Sequence, residues 1–212
     1  MSRPTDLLLL QARLSEARST TFIDACQAAV QAWPGAAVQR MAWSETAGDA
    51  YGYLALPQRC LLAATDLDAV RAAFVQALPA DARGRVSRLE RDFEVAGASA
   101  QALPAFHYVV EMDPEAGWRD ELLRWYDTEH MPGLAGVPGS IRATRLLNHD
   151  HGPLSLACYD LVSPETLGSP PWLAVRASEW SSRVRPHFTN TRRIMFRTLL
   201  PERDLRTKLN DS

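Results

Sequence analysis

Trp33-Pro34-Gly35 and Val137-Pro138-Gly139 decide how this chain is organised. From Pro34 to Pro138 is 104 residues, and each Pro-Gly pair lies just after a helical stretch and just before a strand. Working outward from the first copy, residues 6–14 read as a strand, 20–33 as a helix, and 36–44 and 51–63 as two strands. Residues 65–78 follow as a second helix with Thr65 as its N-cap, and 83–95 as a fourth strand. Around the second copy the order repeats: strand 106–112, helix 115–130, strands 140–147 and 154–162, a broken helical region 164–184 and a long strand 188–199. The small, uncharged stretch Gly97-Ala98-Ser99-Ala100-Gln101-Ala102-Leu103-Pro104 reads as a linker.

The expected organisation is therefore a first unit 1–96, a linker 97–104, a second unit 105–200 and a tail 201–212. Strand-helix-strand-strand-helix-strand is the order of the ferredoxin-like split βαβ unit, which leaves one sheet face bare. Phe106-His107-Tyr108-Val109-Val110 and Leu154-Ser155-Leu156-Ala157-Cys158-Tyr159 carry apolar residues at both parities, so both faces should be buried. The expected fold class is α+β: two ferredoxin-like βαββαβ units with antiparallel sheets packed face to face as a pseudo-dimeric α+β barrel. The competing arrangement, two independent domains on a string, fits the short linker less well.

Composition narrows the function classes. The 212 residues are 46% hydrophobic, enough for a sizeable core without staples. Lys and Arg number 23 against 25 Asp and Glu, so no basic excess exists to neutralise nucleic acid or an anionic membrane. The expected partner is a small-molecule ligand, in a monomeric pseudo-dimer or a homodimer. Cys26, Cys60 and Cys158 are odd in number and never in a C-x-x-C pair, which argues for a reducing cytoplasm rather than a disulfide framework. The apolar run Leu7 to Leu10 is too short for a signal peptide or membrane span.

Chemistry-bearing residues concentrate in the second half, where all five histidines fall between His107 and His187. Trp118, Leu122 and Trp125 form one stripe of the helix 115–130, with Asp120 and Arg124 as an i,i+4 pair on the solvated side. Glu129 projects along the apolar stripe and His130 lies at its margin in the last turn, because Pro132 disfavours helix at Met131. An imidazole there, among aromatic rings, suits acid/base work near neutral pH; capping the last carbonyls is the plainer role. The stretch Trp180 to Arg193 is dense in arginine and adds His187 and Asn190 as donors, a set that suits a carboxylate, phenolate or enolate. The plainer reading is a solvated, charged strand entry, slightly more so for Arg183 and Arg192 than for His187 and Asn190.

His149-Asp150-His151 has metal-ligand atoms but precedes Gly152-Pro153 and reads as a hairpin turn, so no metal site is expected. His107 and Glu111 share one face of their strand and could line a pocket, a rim or a contact, while Phe106, Tyr108, Val110 and Met112 read as core. There is no G-x-G-x-x-G, P-loop, G-x-S-x-G, H-E-x-x-H or C-x-x-C-H, and no cofactor is expected.

At Trp125-Tyr126-Asp127-Thr128-Glu129-His130-Met131-Pro132, followed by Gly136-Val137-Pro138-Gly139-Ser140-Ile141-Arg142-Ala143, the chain resembles EthD-like proteins of the dimeric α+β barrel superfamily. Arg185-Pro186-His187-Phe188 with Asn190 and Arg192-Arg193 also resembles their closing strand. The resemblance spans about residues 106 to 197; the first unit joins through element order alone. It implies a small-molecule cleft between sheet and helices. Relatives include polyketide cyclases, muconolactone-type isomerases and cofactor-free monooxygenases, with haem enzymes as distant members. His130 would take the place of the family's helix-end histidine, and no histidine corresponds to it in the first unit.

The expectation is an enzyme for a small hydrophobic oxygenated molecule, aromatic, lactone or polyketide-like, with His130 handling a proton. Trp125 and Tyr126 would line the cleft, and Arg142 or Arg145, His187 and Asn190 would steady an oxyanion. A cofactor-independent isomerase, cyclase and monooxygenase all remain open, and the alternative is a non-catalytic ligand-binding or stress-associated protein of the same fold.

Overall fold

Leu7, Leu8, Leu9 and Leu10 lie at the centre of the first strand, β1 (Arg3–Arg13), and none is more than 2% exposed, so both faces of this strand are buried. In the computed structural model, which describes residues 1–14 and 19–199, the chain divides into two compact units. One comprises Met1–Leu89 with the end of the last strand from Arg197; the other is Glu90–Phe196. The expected tail at 201–212 lies outside the described residues.

The first unit runs β1, α1 (Ser19–Gln31), β2 (Ala37–Ser44), β3 (Asp49–Leu62), α2 (Asp68–Ala77) and the first half of β4 (Gly84–Ala96). Its antiparallel strand order is β4-β1-β3-β2. Beyond β2, Ala42 and Trp43 pair with Thr198 and Arg197. Leu8 and Leu10 enter a core with Phe22, Cys26 and Phe74, where the Phe22 and Phe74 rings meet edge to face at 6.0 Å. Helix α1 approaches β3 closely at Gly52, where a Cβ would lie 2.6 Å from Cys26 Sγ. The expected cap at Thr65 is corrected: Thr65 lies inside a 3-10 turn, Ala64–Leu67, whose entry is held by the Ala63 N–H donating to Asp66 Oδ2 at 2.7 Å.

The second unit takes the rest of β4 and continues through β5 (Phe106–Pro114), α3 (Arg119–Trp125), a π-helical turn (Tyr126–His130) and α4 (Met131–Ala135). Then come β6 (Ser140–Asn148), β7 (Ser155–Leu161), α5 (Pro170–Arg176), α6 (Glu179–Val184) and β8 (Phe188–Thr198). Its strand order is β8-β5-β7-β6-β4, with β5, β7 and β6 paired antiparallel. Residues 97–104 are pinned at their start, because Gly97 and Ser99 donate to the Ile141 and Ser140 carbonyls, each at 2.8 Å.

Both Pro-Gly turns follow a helix and place their glycine at positive φ, +80° at Gly35 and +94° at Gly139. This is the left-handed geometry that ends a helix cheaply only at glycine. Among the described residues no helix is long and apolar enough to cross a membrane.

Candidate functional site

Pro132 does not end the helix as its sequence context suggests. Its ring would clash with the carbonyl four residues back in a regular α-helix and it offers no N–H, so the chain widens instead. The Met131 N–H donates five residues back to the Tyr126 carbonyl, and helical geometry then resumes to Ala135. In an α-helix, positions five apart lie about 140° from each other around the axis. The wider turn returns His130 over Trp125, where their rings stack at 4.1 Å and 25°. His130 is 7% exposed, whereas Glu129 is only half-buried. The Glu129 carboxylate accepts from Trp125 Nε1 at 3.2 Å and Ser178 Oγ at 2.5 Å.

His130 opens onto a cavity of the second unit. Strands β5 and β7 supply Tyr108, Val110 and Tyr159; α3, the turn and α4 supply Trp125, Tyr126 and Leu134 in that order. Trp172 and Arg176 come from α5, Arg185 from the segment after α6, and Phe188 and Arg193 from β8. The cavity holds about 30 Å³, room for one or two waters.

The electrostatics of this cavity are one-sided. Burial, reinforced by the positive charges of Arg185 and Arg176, pushes the His130 imidazolium down to about 3, so the ring is neutral at physiological pH. Burial raises the phenols of Tyr108, Tyr126 and Tyr159, which therefore keep their protons. Burial, then Arg176 and Arg193, lower Arg185 below the usual arginine value. No carboxylate lines the cavity, and among the described residues none pairs with Arg176, Arg185 or Arg193. His130 Nδ1, Tyr159 OH and Trp172 Nε1 are buried without a hydrogen-bond partner.

Of the residues singled out from the sequence, Trp125, Tyr126 and His130 come together here. Arg142, Arg145, His187 and Asn190 do not line the cavity. Arg145, 1% exposed, sits behind Tyr126 with its guanidinium carbon 6.0 Å from the ring; it pairs with Asp92 and Asp127 and donates to the Leu123 carbonyl at 3.0 Å. Arg142 donates to Asp160 Oδ2 at 3.3 Å, and Asp160 Oδ1 lies 2.8 Å from His107 Nδ1. His187 stacks on Trp118 at 3.4 Å and meets Glu115 at 2.5 Å, and Asn190 donates to Asp113 at 2.9 Å. Arg124 pairs with Glu121 rather than with Asp120.

His149 pairs with Glu90 at 3.4 Å, and Asn148 brackets the turn by accepting from the Asp150 N–H at 3.0 Å and donating to the His151 carbonyl at 2.5 Å. No cluster of three or more metal-ligating side chains occurs among the described residues. His107 and Glu111, both buried, occupy the face of β5 opposite the cavity.

Sequence reasoning missed Tyr108, Tyr159, Trp172 and the three cavity arginines. Tyr108 carried the signal of a core residue. Arg185 and Arg193 stood inside the arginine-rich stretch but were indistinguishable there from Arg183 and Arg192. Folding separates them: Arg183 pairs with Glu121 and Arg192 with Glu111.

No family's sequence profile matches the chain, and no curated protein matches it by sequence. Solved structures do resemble it. A Lactobacillus acidophilus protein provisionally assigned as a monooxygenase superposes with a TM-score of 0.62 at 12% identity, covering 92% of this chain and 94% of its own. An anthrone oxidase-like protein gives 0.60 at 14% identity, covering 92% of both chains. A chlorite dismutase variant from Candidatus Nitrospira defluvii gives 0.54 at 12% identity, covering 93% of this chain and 92% of its own. At such low identity the likeness shows a shared fold.

Proposed function

We propose that this is an EthD-like enzyme, a tandem duplication of one ferredoxin-like unit, that takes a small hydrophobic oxygenated molecule in the cavity of its second unit and removes a proton with His130. Element order supports the duplication, since each unit runs strand-helix-strand-strand-helix-strand with equivalent strands in the order fourth, first, third, second. The observation that carries the chemistry is the neutral imidazole of His130, buried beside aromatic rings with Nδ1 unpartnered. Such a ring accepts a proton from an acidic C–H or a phenol of the ligand only as negative charge develops on the ligand beside it and offsets the burial and the arginine charges that hold its imidazolium down. The breaking bond leaves its electron pair on a ligand oxygen as enolate or phenolate, and the Arg185 guanidinium is the cation placed to stabilise it.

Phe188, half-buried and 6.0 and 6.1 Å from the fully buried rings of Trp125 and Tyr126, is the ring of this aromatic side that is open to a ligand. Arg145 supports Tyr126 from behind rather than touching ligand. The anthrone oxidase-like neighbour makes anthrone, with its acidic methylene, a fitting probe. Exchange of those hydrogens in D2O, followed by NMR, should be accelerated by the protein, and His130→Gln should remove about a hundredfold or more of that acceleration. Equal exchange by the variant would sink the assignment of His130 as base. Binding without exchange by the natural protein would favour a ligand-binding protein without turnover.

A further inference from the structure

We propose that the natural ligand of this cavity is a small aryl carboxylate, its carboxylate held by Arg176, Arg185 and Arg193 and its ring seated against Trp125, Tyr126 and Phe188. This deepens the reading of the same cavity given above and rests on that cavity being the ligand site. Three facts converge on it.

The first is the fate of the cations. Arg142, Arg145, Arg183 and Arg192 each have a carboxylate partner, at Asp160, Asp92 and Asp127, Glu121 and Glu111. Arg176, Arg185 and Arg193 have none among the described residues, although all three line one cavity. Arg185 is half-buried and gives one guanidinium nitrogen to the Arg176 carbonyl at 3.5 Å, a long hydrogen bond that leaves most of its donors free. Like charges gathered without a counter-ion are costly, and an entering anion removes that cost. The depressed proton affinity of Arg185, caused by burial and then by its two neighbours, reports the same crowding.

The second is the bias of the remaining polar groups. Trp172 Nε1 can only donate, and the Tyr159 hydroxyl keeps its proton; both are at least nine-tenths buried, line the cavity and lack a partner. With three guanidinium groups they make a cavity rich in donors and free of carboxylates, complementary to a group that only accepts.

The third is the aromatic wall. An inorganic anion would leave this aromatic side of the cavity, where Phe188 is half-buried in front of Trp125 and Tyr126, without a partner, whereas an aryl ring attached to the carboxylate packs against it.

The test is titration calorimetry on the full chain with 1-naphthoate, the neutral isosteres 1-naphthamide and 1-naphthol, and inorganic phosphate. Naphthoate should bind at least about tenfold more tightly than naphthamide and naphthol, the worth of one charge-assisted hydrogen bond. Arg185→Gln and Arg176→Gln should each erase that preference, while Arg119→Gln on the exposed face of α3 should leave it intact. Circular dichroism checks that each variant is folded. Naphthol or naphthamide binding as tightly as naphthoate, with all three weakened in Trp125→Ala, would overturn the carboxylate assignment and leave the cavity reading standing. Phosphate binding as tightly as naphthoate would overturn the aryl part. Naphthoate binding that survives both Trp125→Ala and Arg185→Gln would place its site elsewhere and overturn both readings together.

Discussion

A single ring, His130, shows how position converts an ordinary side chain into an unusual one. Burial and the nearby Arg185 and Arg176 hold its imidazolium down to about 3, whereas the unfolded chain takes up the same proton near the ordinary value of about 6.5. Between those values the unfolded state binds more protons. The contribution of His130 to stability is therefore complete above the unfolded value and is lost as pH falls toward the folded one. From pH 6.5 to pH 5 this amounts to about 2 kcal/mol, at about 1.4 kcal/mol per pH unit. Urea melts at pH 7 and pH 5 should show the natural protein losing about that much more stability than His130→Gln, and equal losses in the two would mean that the ring is not buried as a neutral group. The unpaired arginines make the same point. Arg183, Arg185, Arg192 and Arg193 are equivalent in the sequence, and only their partners after folding tell a surface ion pair from a cation left facing a cavity.

At the scale of elements, the π-helical turn and the Pro-Gly turn carry the design of the site. The first rotates His130 over Trp125 and lets the helix pass Pro132; the second ends that helix and starts β6. Gly139 is held at a φ of +94°, and a Cβ there would sit 2.3 Å from Thr166 Oγ1, a buried side chain. Gly35, at +80°, would meet nothing nearer than Pro57 at 3.4 Å. Gly35→Ala should thus cost about 1 kcal/mol for the backbone conformation alone, and Gly139→Ala about 2 to 3 kcal/mol for conformation plus the clash. Chemical denaturation of the two variants against the natural chain measures the difference; equal costs would show that Thr166 moves aside freely. The helix expected over 115–130 was legible from its apolar stripe, but its start at Arg119 and its extension to Ala135 were not. The rule that proline ends a helix holds for regular α geometry, and one wide turn evades it.

At the scale of the whole molecule, three cysteines in 212 residues form no disulfide: all are free, Cys26 and Cys158 buried and Cys60 half-buried. Burial raises the thiols of Cys26 and Cys60 above their ordinary value, modestly for the more accessible Cys60. Titration with a thiol reagent at pH 8 should find Cys60 alone reacting promptly in the folded chain and all three in denaturant; prompt reaction of Cys26 would mean that the packing of α1 on β3 opens readily. Across the chain, the sequence by itself determined the order of the strands and helices, the recurrence of the Pro-Gly turns, and the gathering of Trp125, Tyr126 and His130 on one segment. Those features are written in hydrophobic period and in backbone preferences that act over a few residues. Tertiary structure alone decided which arginines keep a carboxylate and which do not, that Tyr108 and Tyr159 wall a cavity, and that His187 stacks on Trp118 instead. Such choices depend on packing between segments tens of residues apart, where a side chain's neighbours, and hence its charge state, are set by an arrangement that no local pattern encodes.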